Sequence, residues 1–141
     1  MSSQATDVAA VTFWLPFPPS TNGLFAHGLV RGKVRRFPTK QYKAWRKQAG
    51  IIIRSQRLKQ LREPVVIKLA LTPRDSRRRD ADNYAKPCLD ALVEAGLLID
   101  DSNQYVRAVI PHWCEPDARH AGVQVSIRIA KLGGLFAEAA E

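Results

Sequence analysis

The residues with the most obvious chemical potential form one charged run in the middle of the chain. Three arginines, four aspartates and a lysine contribute to it: Arg77, Arg78, Arg79, Asp80, Asp82, Lys86, Asp100 and Asp101. Aspartate clusters bind Mg²⁺ or Mn²⁺, and arginines bind phosphate groups. A divalent ion held there would polarise a phosphodiester and generate hydroxide from bound water near neutral pH. The run therefore indicates a metal-dependent nuclease.

The spacing of the carboxylates favours a shared metal ion. Asp80 and Asp82 are separated by one residue at a predicted junction between a strand and a helix. In an extended backbone, side chains two residues apart project to the same side, so both would reach one ion. Asp100 or Asp101 would supply a third carboxylate. Lys86 would stabilise the charge that develops on the phosphate or orient the attacking water.

Each of these residues also has an ordinary structural explanation. Asp80 or Asp82 would serve as a helix N-cap. The pair Asp100-Asp101 is typical of a polar turn, and Lys86 would form an ion pair on a helix surface. Capping needs only one carboxylate, however, and neighbouring carboxylates repel one another unless a cation lies among them. The combination therefore favours a binding site.

Composition points to a nucleic-acid partner. The chain has 141 residues, which predicts one domain with one hydrophobic core, and its formal net charge is +9. So basic a domain is typical of nucleic-acid binders, although a ribosomal-type or otherwise RNA-associated protein has the same balance. No apolar run approaches the ~20 residues of a membrane-spanning helix, so the sequence predicts no membrane association.

The two cysteines, Cys88 and Cys114, are far apart and form no CxxC pattern. We interpret them as reduced, buried thiols, and residues 1–10 lack the features of a secretory signal, so we expect a cytoplasmic protein. A zinc site made from these cysteines with His112 and His120 would match no standard ligand spacing.

Strand, helix and turn signals predict an α+β fold: a small, single-domain mixed sheet of about four strands with two main helices packed against it. The predicted strands span residues 11–17, 65–72, 104–114 and 123–130, the last two paired as an antiparallel hairpin. The predicted helices span about 40–60, with Thr39 as N-cap, and about 82 to Gly96. Residues 1–10 are expected to be a disordered lead-in, 11–131 the domain and 132–141 a flexible tail.

Within the helices, helical spacing assigns an apolar face to each. In the first helix it comprises Tyr42, Trp45, Ala49, Ile52 and Ile53, and in the second Leu89, Leu92 and Val93. Pro87 conflicts with the second helix, because a proline there lacks the N–H of an interior residue. Either the first turn is irregular or a carbonyl is left free.

A second basic segment lies between residues 24 and 39, where a short hairpin or a mobile loop is expected. It carries four cations, Arg31, Lys33, Arg35 and Arg36, with Phe25 and Phe37 nearby. These residues would clamp a phosphate backbone and stack on bases, or form a solvated loop. Before it, the polar turn that contains Asn22 would bond the protein backbone or phosphate.

The central run resembles the signature of the RusA family of Holliday junction resolvases. The matching residues are Arg78-Arg79-Asp80-Ala81-Asp82-Asn83-x-x-Lys86-Pro87-x-Leu89-Asp90-Ala91-Leu92, Gly96 and Asp100-Asp101. The early Pro18-Pro19-Ser20-Thr21-Asn22 is similar to the N-terminal motif of that family, so the resemblance spans roughly residues 11–130. On this resemblance Pro87 is a family feature.

The resemblance implies a homodimer that binds four-way DNA junctions and nicks two strands with Mg²⁺ or Mn²⁺. It implies Asp80, Asp82 and Asp101 as metal ligands and Lys86 as the essential basic residue, with Asp100 as an adjacent carboxylate that assists or shapes the turn. The arginines Arg77 to Arg79 would approach DNA. The alternative is a basic DNA-binding module whose acidic cluster is structural or inactive.

Overall fold

The computed structural model of the chain describes residues 11–130, so the predictions for residues 1–10 and 131–141 lie outside the described part. The elements in chain order are β1 (Val11–Leu15), a short 3-10 helix (Thr21–Gly23), β2 (Phe25–Val30), β3 (Lys33–Pro38), α1 (Lys40–Ser55), β4 (Val65–Thr72), α2 (Asp82–Glu94), β5 (Val106–Trp113) and β6 (Gly122–Ile129). No helix among these is long and apolar enough to cross a membrane.

The main sheet has four strands in the order β1-β6-β4-β5, and β2 with β3 forms a separate two-stranded sheet. Strand β4 pairs parallel with β5 and antiparallel with β6, while β6 also pairs antiparallel with β1. The sheet is therefore mixed. The predicted α+β class, with a four-stranded mixed sheet and two main helices, is confirmed.

The predicted hairpin of the last two strands is wrong, because β4 lies between β5 and β6. Six of the eight residues of β4 are buried, so this strand takes a central position with neighbours on both sides. Helix α2 carries the chain from the end of β4 back to the start of β5, which makes these two strands parallel. The segment after Trp113 then brings β6 to the other side of β4.

One face of the sheet carries the core. In β4 and β6 the inward residues alternate, with Leu69 opposite Val125 and Leu71 opposite Val123. Both helices pack over this face and meet each other through an ion pair between Arg46 and Glu94. The opposite face presents residues such as the exposed Lys68. The helices therefore pack on one side of the sheet.

Helix α1 begins as predicted, since the Thr39 hydroxyl accepts a hydrogen bond from the backbone N–H of Tyr42 at 3.2 Å. Its predicted core aromatics are buried, and the Trp45 ring N–H donates to the Pro16 carbonyl at 2.8 Å. The helix ends at Ser55, earlier than predicted, and Arg57 has a φ of 55° that no helix accommodates.

Helix α2 ends as the sequence predicts, with Gly96 at a φ of 84°. The N–H of Gly96 donates to the Val93 carbonyl and the N–H of Leu97 to the Leu92 carbonyl, both at 3.0 Å. This pair of bonds satisfies carbonyls that the last turn leaves free. The helix therefore stops abruptly, and the chain turns toward Asp100.

The buried face of α2 differs from the predicted one. It comprises Ala85, Pro87, Cys88, Ala91 and Leu92, whereas Leu89 and Val93 are only half-buried at the margin of the core. Burial raises the pKa of the Cys88 thiol to about 12, which makes it unreactive at neutral pH. Cys114 is also a free thiol but only half-buried.

Segment 24–39 forms a hairpin and not a mobile loop. Strands β2 and β3 pair antiparallel from Phe25 opposite Pro38 to Val30 opposite Lys33. The two-residue turn has positive φ at both positions, 52° at Arg31 and 78° at Gly32. Such turns match the natural twist of paired strands, and glycine adopts this conformation without strain.

Candidate active site

Asp82 is the first residue of α2, and Asp80 lies just before its N-cap, in the loop that joins β4 to this helix. Ala81, between them, has helical backbone angles (φ −58°, ψ −37°). The prediction that an extended backbone points both carboxylates the same way is therefore wrong, because residues two apart in helical backbone do not face each other. Neither carboxylate caps the helix, since the N-cap position is Ala81 and no side-chain cap hydrogen bond forms there.

Lys86 lies between two other carboxylates. Its ammonium Nζ donates to Asp90 Oδ1 at 3.1 Å and lies 3.8 Å from Asp101 Oδ2. The hydrogen bond to Asp90 raises the pKa of Lys86, with a further contribution from the charge of Asp101. Lys86 therefore stays protonated at neutral pH and carries a positive charge.

Asp100 and Asp101 are adjacent but differ in their bonding. The Asp100 carboxylate accepts a hydrogen bond from the backbone N–H of Ser102 at 2.7 Å. Hydrogen bonds from the Ser102 side chain and backbone lower the pKa of Asp100. Asp101 instead faces Lys86 and is exposed. The geometry separates a turn-forming carboxylate from one that is open to a ligand.

The other aspartates can also be divided into those that accept a hydrogen bond and those that accept none. Asp75, Asp100 and Asp117 each accept a backbone N–H in a local turn, and Asp90 accepts from Lys86. Among the residues that the structure describes, three aspartates have carboxylates that accept no hydrogen bond: Asp80, Asp82 and Asp101. These are the three that the resemblance implies as metal ligands. Their oxygens are the hard donors that Mg²⁺ and Mn²⁺ prefer.

The three free carboxylates do not form a preassembled metal cage. Within residues 11–130, no group of three or more His, Cys, Asp or Glu side chains lies close enough to hold one ion. The donor chemistry therefore fits a divalent cation, whereas their separation requires side chains to rearrange when such an ion binds. The assignment of Asp80, Asp82, Asp100 and Asp101 as metal ligands stays a prediction.

The loop between β4 and α2 is organised by Asp75, which the sequence reasoning did not single out. Its Oδ1 accepts hydrogen bonds from the backbone N–H of Arg77 at 3.1 Å and from Arg79 Nη2 at 2.7 Å. The backbone N–H of Arg77 is the main cause that lowers the pKa of Asp75 from 3.8 to about 2, followed by Arg79. The available signal was the tendency of an aspartate in a loop to accept a hydrogen bond from the backbone N–H two residues later, which forms an Asx-turn.

The three arginines of this loop have different surroundings. The side chain of Arg79 is only 11% exposed, and its Nη1 donates to the carbonyls of Asp75 at 3.0 Å and Arg77 at 3.2 Å. The side chain of Arg77 is 77% exposed, and Arg78 is exposed as well. Arg79 therefore holds the loop together. Arg77 also contacts Asp75 through its Nε, at 3.3 Å, but most of its side chain is exposed, as is that of Arg78.

Beside this loop lies a cleft of about 310 Å³. Its walls come from the Pro18-Pro19 segment, the arginine loop and the start of α2: Phe17, Pro18, Pro19, Ser20, Gly23, Gln41, Arg74, Arg77, Arg79, Tyr84 and Ala121. The rings of Phe17 and Tyr84 lie 5.0 Å apart, and Trp113 completes the aromatic cluster 5.9 Å from Tyr84. Cationic and aromatic walls suit a nucleotide. Sequence reasoning missed Arg74 and Tyr84, because only the fold brings them together.

The predicted N-terminal turn joins this site through Thr21. Its hydroxyl donates to the Asn83 carbonyl at 2.8 Å. That carbonyl is the one whose usual helical partner would be the N–H of residue 87, which is proline. The free carbonyl expected from Pro87 is therefore present and bonded. Asn22, the next residue, is exposed.

The cations of the hairpin lie on the separate two-stranded sheet, and all four are exposed: Arg31, Lys33, Arg35 and Arg36. The guanidinium of Arg36 lies 3.7 Å from the ring centre of Phe25. Phe25 in turn packs on Tyr42 at 5.7 Å, so it supports the hairpin and is not free to stack on bases. Phe37 is 41% exposed.

Fold and site together define a small, basic α+β domain that presents carboxylates beside cations, as enzymes acting on phosphodiesters do. A family model described as Endodeoxyribonuclease RusA matches residues 16–128. The chain belongs to the RusA family of endodeoxyribonucleases, which confirms the resemblance seen in the sequence.

Individual relatives agree with the family match. The chain is 37% identical to the crossover junction endodeoxyribonuclease RusA of Escherichia coli strain K12 over 89 residues, which cover 62% of this chain and 71% of the relative. It is 36% identical to the protein of the same name from Enterobacteria phage 82 over 89 residues, with the same coverage of 62% and 71%. A Shigella sonnei relative of that name is also 36% identical over 89 residues.

Proposed function

We propose that this chain is a crossover junction endodeoxyribonuclease, which hydrolyses phosphodiester bonds at four-way (Holliday) DNA junctions. The observation that carries the proposal is that Asp80, Asp82 and Asp101 accept no hydrogen bond from the described residues. Lys86 lies 3.8 Å from Asp101, and Arg77 and Arg78 are exposed in the loop before α2. Family membership and the names of the relatives support the substrate.

The proposal includes a divalent cation, Mg²⁺ or Mn²⁺, held by Asp80, Asp82 and Asp101. When bound, such an ion polarises the scissile phosphate and lowers the pKa of its water. Asp101 already lies 3.8 Å from the Lys86 ammonium. Asp100 shapes the turn that presents Asp101.

Lys86 supplies a positive charge in this reaction. Its raised pKa keeps the ammonium protonated, and its side chain is 55% exposed, so it can exchange a carboxylate partner for a phosphate oxygen. Charge that develops on the phosphate oxygens during attack is stabilised by such a preorganised cation. The exposed Arg77 and Arg78 hold the neighbouring phosphates.

We propose a homodimer as the active form. A four-way junction has two-fold symmetry, and paired nicks require two active sites, which a C₂ dimer supplies. Sedimentation equilibrium over the concentration range used for cleavage measures this directly. Paired nicking by a protein that stays monomeric over that range would contradict the dimer and leave the nuclease assignment intact.

The central test uses a labelled synthetic four-way junction and a linear duplex of the same sequence. We expect paired nicks in the junction with Mg²⁺ or Mn²⁺, none in excess EDTA, and little cleavage of the duplex. RNA competitors that displace the junction efficiently would instead indicate an RNA-associated protein.

A second candidate is a DNA-binding module with a structural or inactive acidic cluster. The observation that favours it is the lack of a preassembled three-carboxylate group within residues 11–130. It predicts that the junction is bound and shifted but remains intact with every divalent metal tried. Metal titration followed by denaturing electrophoresis distinguishes the two candidates.

A further inference from the structure

Pro87 removes one backbone hydrogen bond from the part of α2 that carries the candidate site. In a regular helix the N–H of residue 87 would bond the carbonyl of residue 83, and proline has no N–H to donate. The proline ring is buried within the helix, whereas Asn83 is only half-buried. The Asn83 carbonyl therefore needs a donor from outside the helix.

Thr21 provides that donor from a different part of the chain. Its hydroxyl lies 2.8 Å from the Asn83 carbonyl oxygen, across a sequence separation of 62 residues. The neighbouring peptide groups of α2 bond within the turn, since the N–H of Asn83 donates to the Asp80 carbonyl at 3.1 Å and that of Tyr84 to the Ala81 carbonyl at 3.0 Å. Among the residues that the structure describes, Thr21 thus makes the one non-local hydrogen bond to this turn.

The segment that carries Thr21 is itself held firmly. The Thr39 hydroxyl, which caps α1, donates to the Gly23 carbonyl at 2.8 Å. The N–H of Gly23 donates to the Ser20 carbonyl at 2.8 Å. The short 3-10 helix is therefore attached to the N-terminus of α1 at one end and to α2 at the other, which gives Thr21 a fixed position.

We propose that Thr21 is a positioning residue for the active site, and that its hydroxyl fixes the first turn of α2 by replacing the bond that Pro87 removes. This rests on the proposed nuclease function. Asn83 lies between Asp82 and Lys86 in that turn, so a shift of its carbonyl moves both side chains relative to Asp101. Misplacement of reacting groups by about 1 Å costs up to roughly a hundredfold in rate.

The test is a double-mutant cycle with Thr21→Val and Pro87→Ala. Thr21→Val removes the hydroxyl at similar volume, and we expect kcat on a four-way junction to fall about tenfold or more with KM unchanged. Unfolding in urea should show a folded-to-unfolded ratio lower by about two- to tenfold. In the Pro87→Ala background the new N–H bonds the Asn83 carbonyl, so Thr21→Val should then change neither quantity.

Two further variants complete the design. Thr21→Ser keeps the hydroxyl and should retain kcat close to that of the unmodified protein. Thr12→Val is the matched control, because Thr12 lies on β1 with its hydroxyl 3.4 Å from that of Ser126 and should affect neither kcat nor KM.

The outcomes separate this proposal from the nuclease assignment. An equal effect of Thr21→Val in the unmodified protein and in the Pro87→Ala background would overturn the proposal, as would lost stability with unchanged kcat. If the unmodified protein cuts no junction, the nuclease assignment fails. The coupling in urea then still measures whether Thr21 replaces the bond that Pro87 removes.

Discussion

At the scale of single residues, bonding distinguishes aspartates that build turns from aspartates that are free to bind a ligand. The sequence shows many carboxylates near one another, but it does not show which are engaged. In the structure the carboxylates of Asp75, Asp90 and Asp100 accept hydrogen bonds. Those of Asp80, Asp82 and Asp101 accept none from the described residues. This distinction leads to three predictions about individual side chains.

The first prediction concerns Asp82. Asp82→Asn should lower the cleavage rate by roughly a hundredfold or more, because a metal ligand contributes several kcal/mol to stabilising the transition state. Junction binding should persist or strengthen, since a negative charge that faces phosphate is removed. Gel-shift and single-turnover cleavage assays measure the two quantities. Asp117→Asn removes the same charge from a turn elsewhere and should keep the cleavage rate; equal rates for both variants would contradict the metal site.

The second prediction separates Asp100 from Asp101. Asp101→Asn should abolish cleavage without lowering stability, since its carboxylate accepts no hydrogen bond from the described residues. Asp100→Ala should lower the free energy of unfolding, because the backbone N–H of Ser102 loses its acceptor in the turn, and keep measurable cleavage. Urea unfolding and cleavage of the same preparations provide the comparison. The reverse pattern would assign the metal to Asp100.

The third prediction concerns pH and Asp75. Its pKa is lowered to about 2, so the ionised carboxylate stabilises the folded state above its ordinary pKa of 3.8, and this contribution disappears as the pH falls toward 2. Asp75→Asn should therefore destabilise the protein at pH 7 and have progressively less effect between pH 4 and 2. Urea unfolding at several pH values measures this. Ser76→Ala, at the next residue, should show a constant difference across the same range.

At the scale of elements, local signals predicted most helices and strands. Proline at residue 64 and residue 73 brackets β4, Thr39 caps α1, and Gly96 ends α2, so these boundaries follow from backbone chemistry. Strand partners did not follow, because pairing depends on which strand is buried on both sides. The direction of Asp80 and Asp82 also escaped prediction, since it depends on the backbone angles of Ala81.

The relation between Thr21 and Pro87 shows the same limit. The sequence predicts that Pro87 frees a carbonyl, because that follows from the chemistry of one residue. It does not predict the donor, which lies 62 residues before the acceptor. Likewise, three adjacent arginines look equivalent in the sequence, and only the position of Asp75 makes Arg79 structural. Long-range contacts, and not local patterns, decided these roles.

A prediction at this scale concerns the end of α2. Gly96→Ala should lower the free energy of unfolding by about 1–2 kcal/mol, because a side chain is strained at a φ of 84° even though nothing lies within 4 Å of the added carbon. Thermal or urea unfolding measures it. Gly23→Ala is the control, since an added carbon there would only touch Ser20 Oγ at 4.0 Å. Comparable losses for the two variants would show that the positive φ of Gly96 does not set the cost.

At the scale of the whole molecule, the effect of net charge on DNA binding can be separated from the effect of where the charges lie. Replacing both Arg77 and Arg78 with alanine should weaken junction binding and reduce the slope of log affinity against log salt by about one for each phosphate that is no longer bound. Fluorescence anisotropy over a range of salt concentrations measures the slope. Lys59→Ala with Arg62→Ala removes the same charge near the opposite end of β4. Equal slopes for the two double variants would mean that net charge alone governs binding.

The position of β6 in the sheet has a consequence for biosynthesis. This strand lies between β1 and β4, so Val11 pairs with Ile127 and Val65 pairs with Ile129. The ribosome synthesises β1 and β4 before β6, which lies between them in the sheet. Until β6 is made, the apolar residues of β1 and β4 stay exposed. Pairings between such distant residues also make folding slow, on the order of milliseconds to seconds. Yield in a cell-free translation system should therefore respond to added chaperones, because the nascent chain acquires its central strand pairing only when β6 emerges.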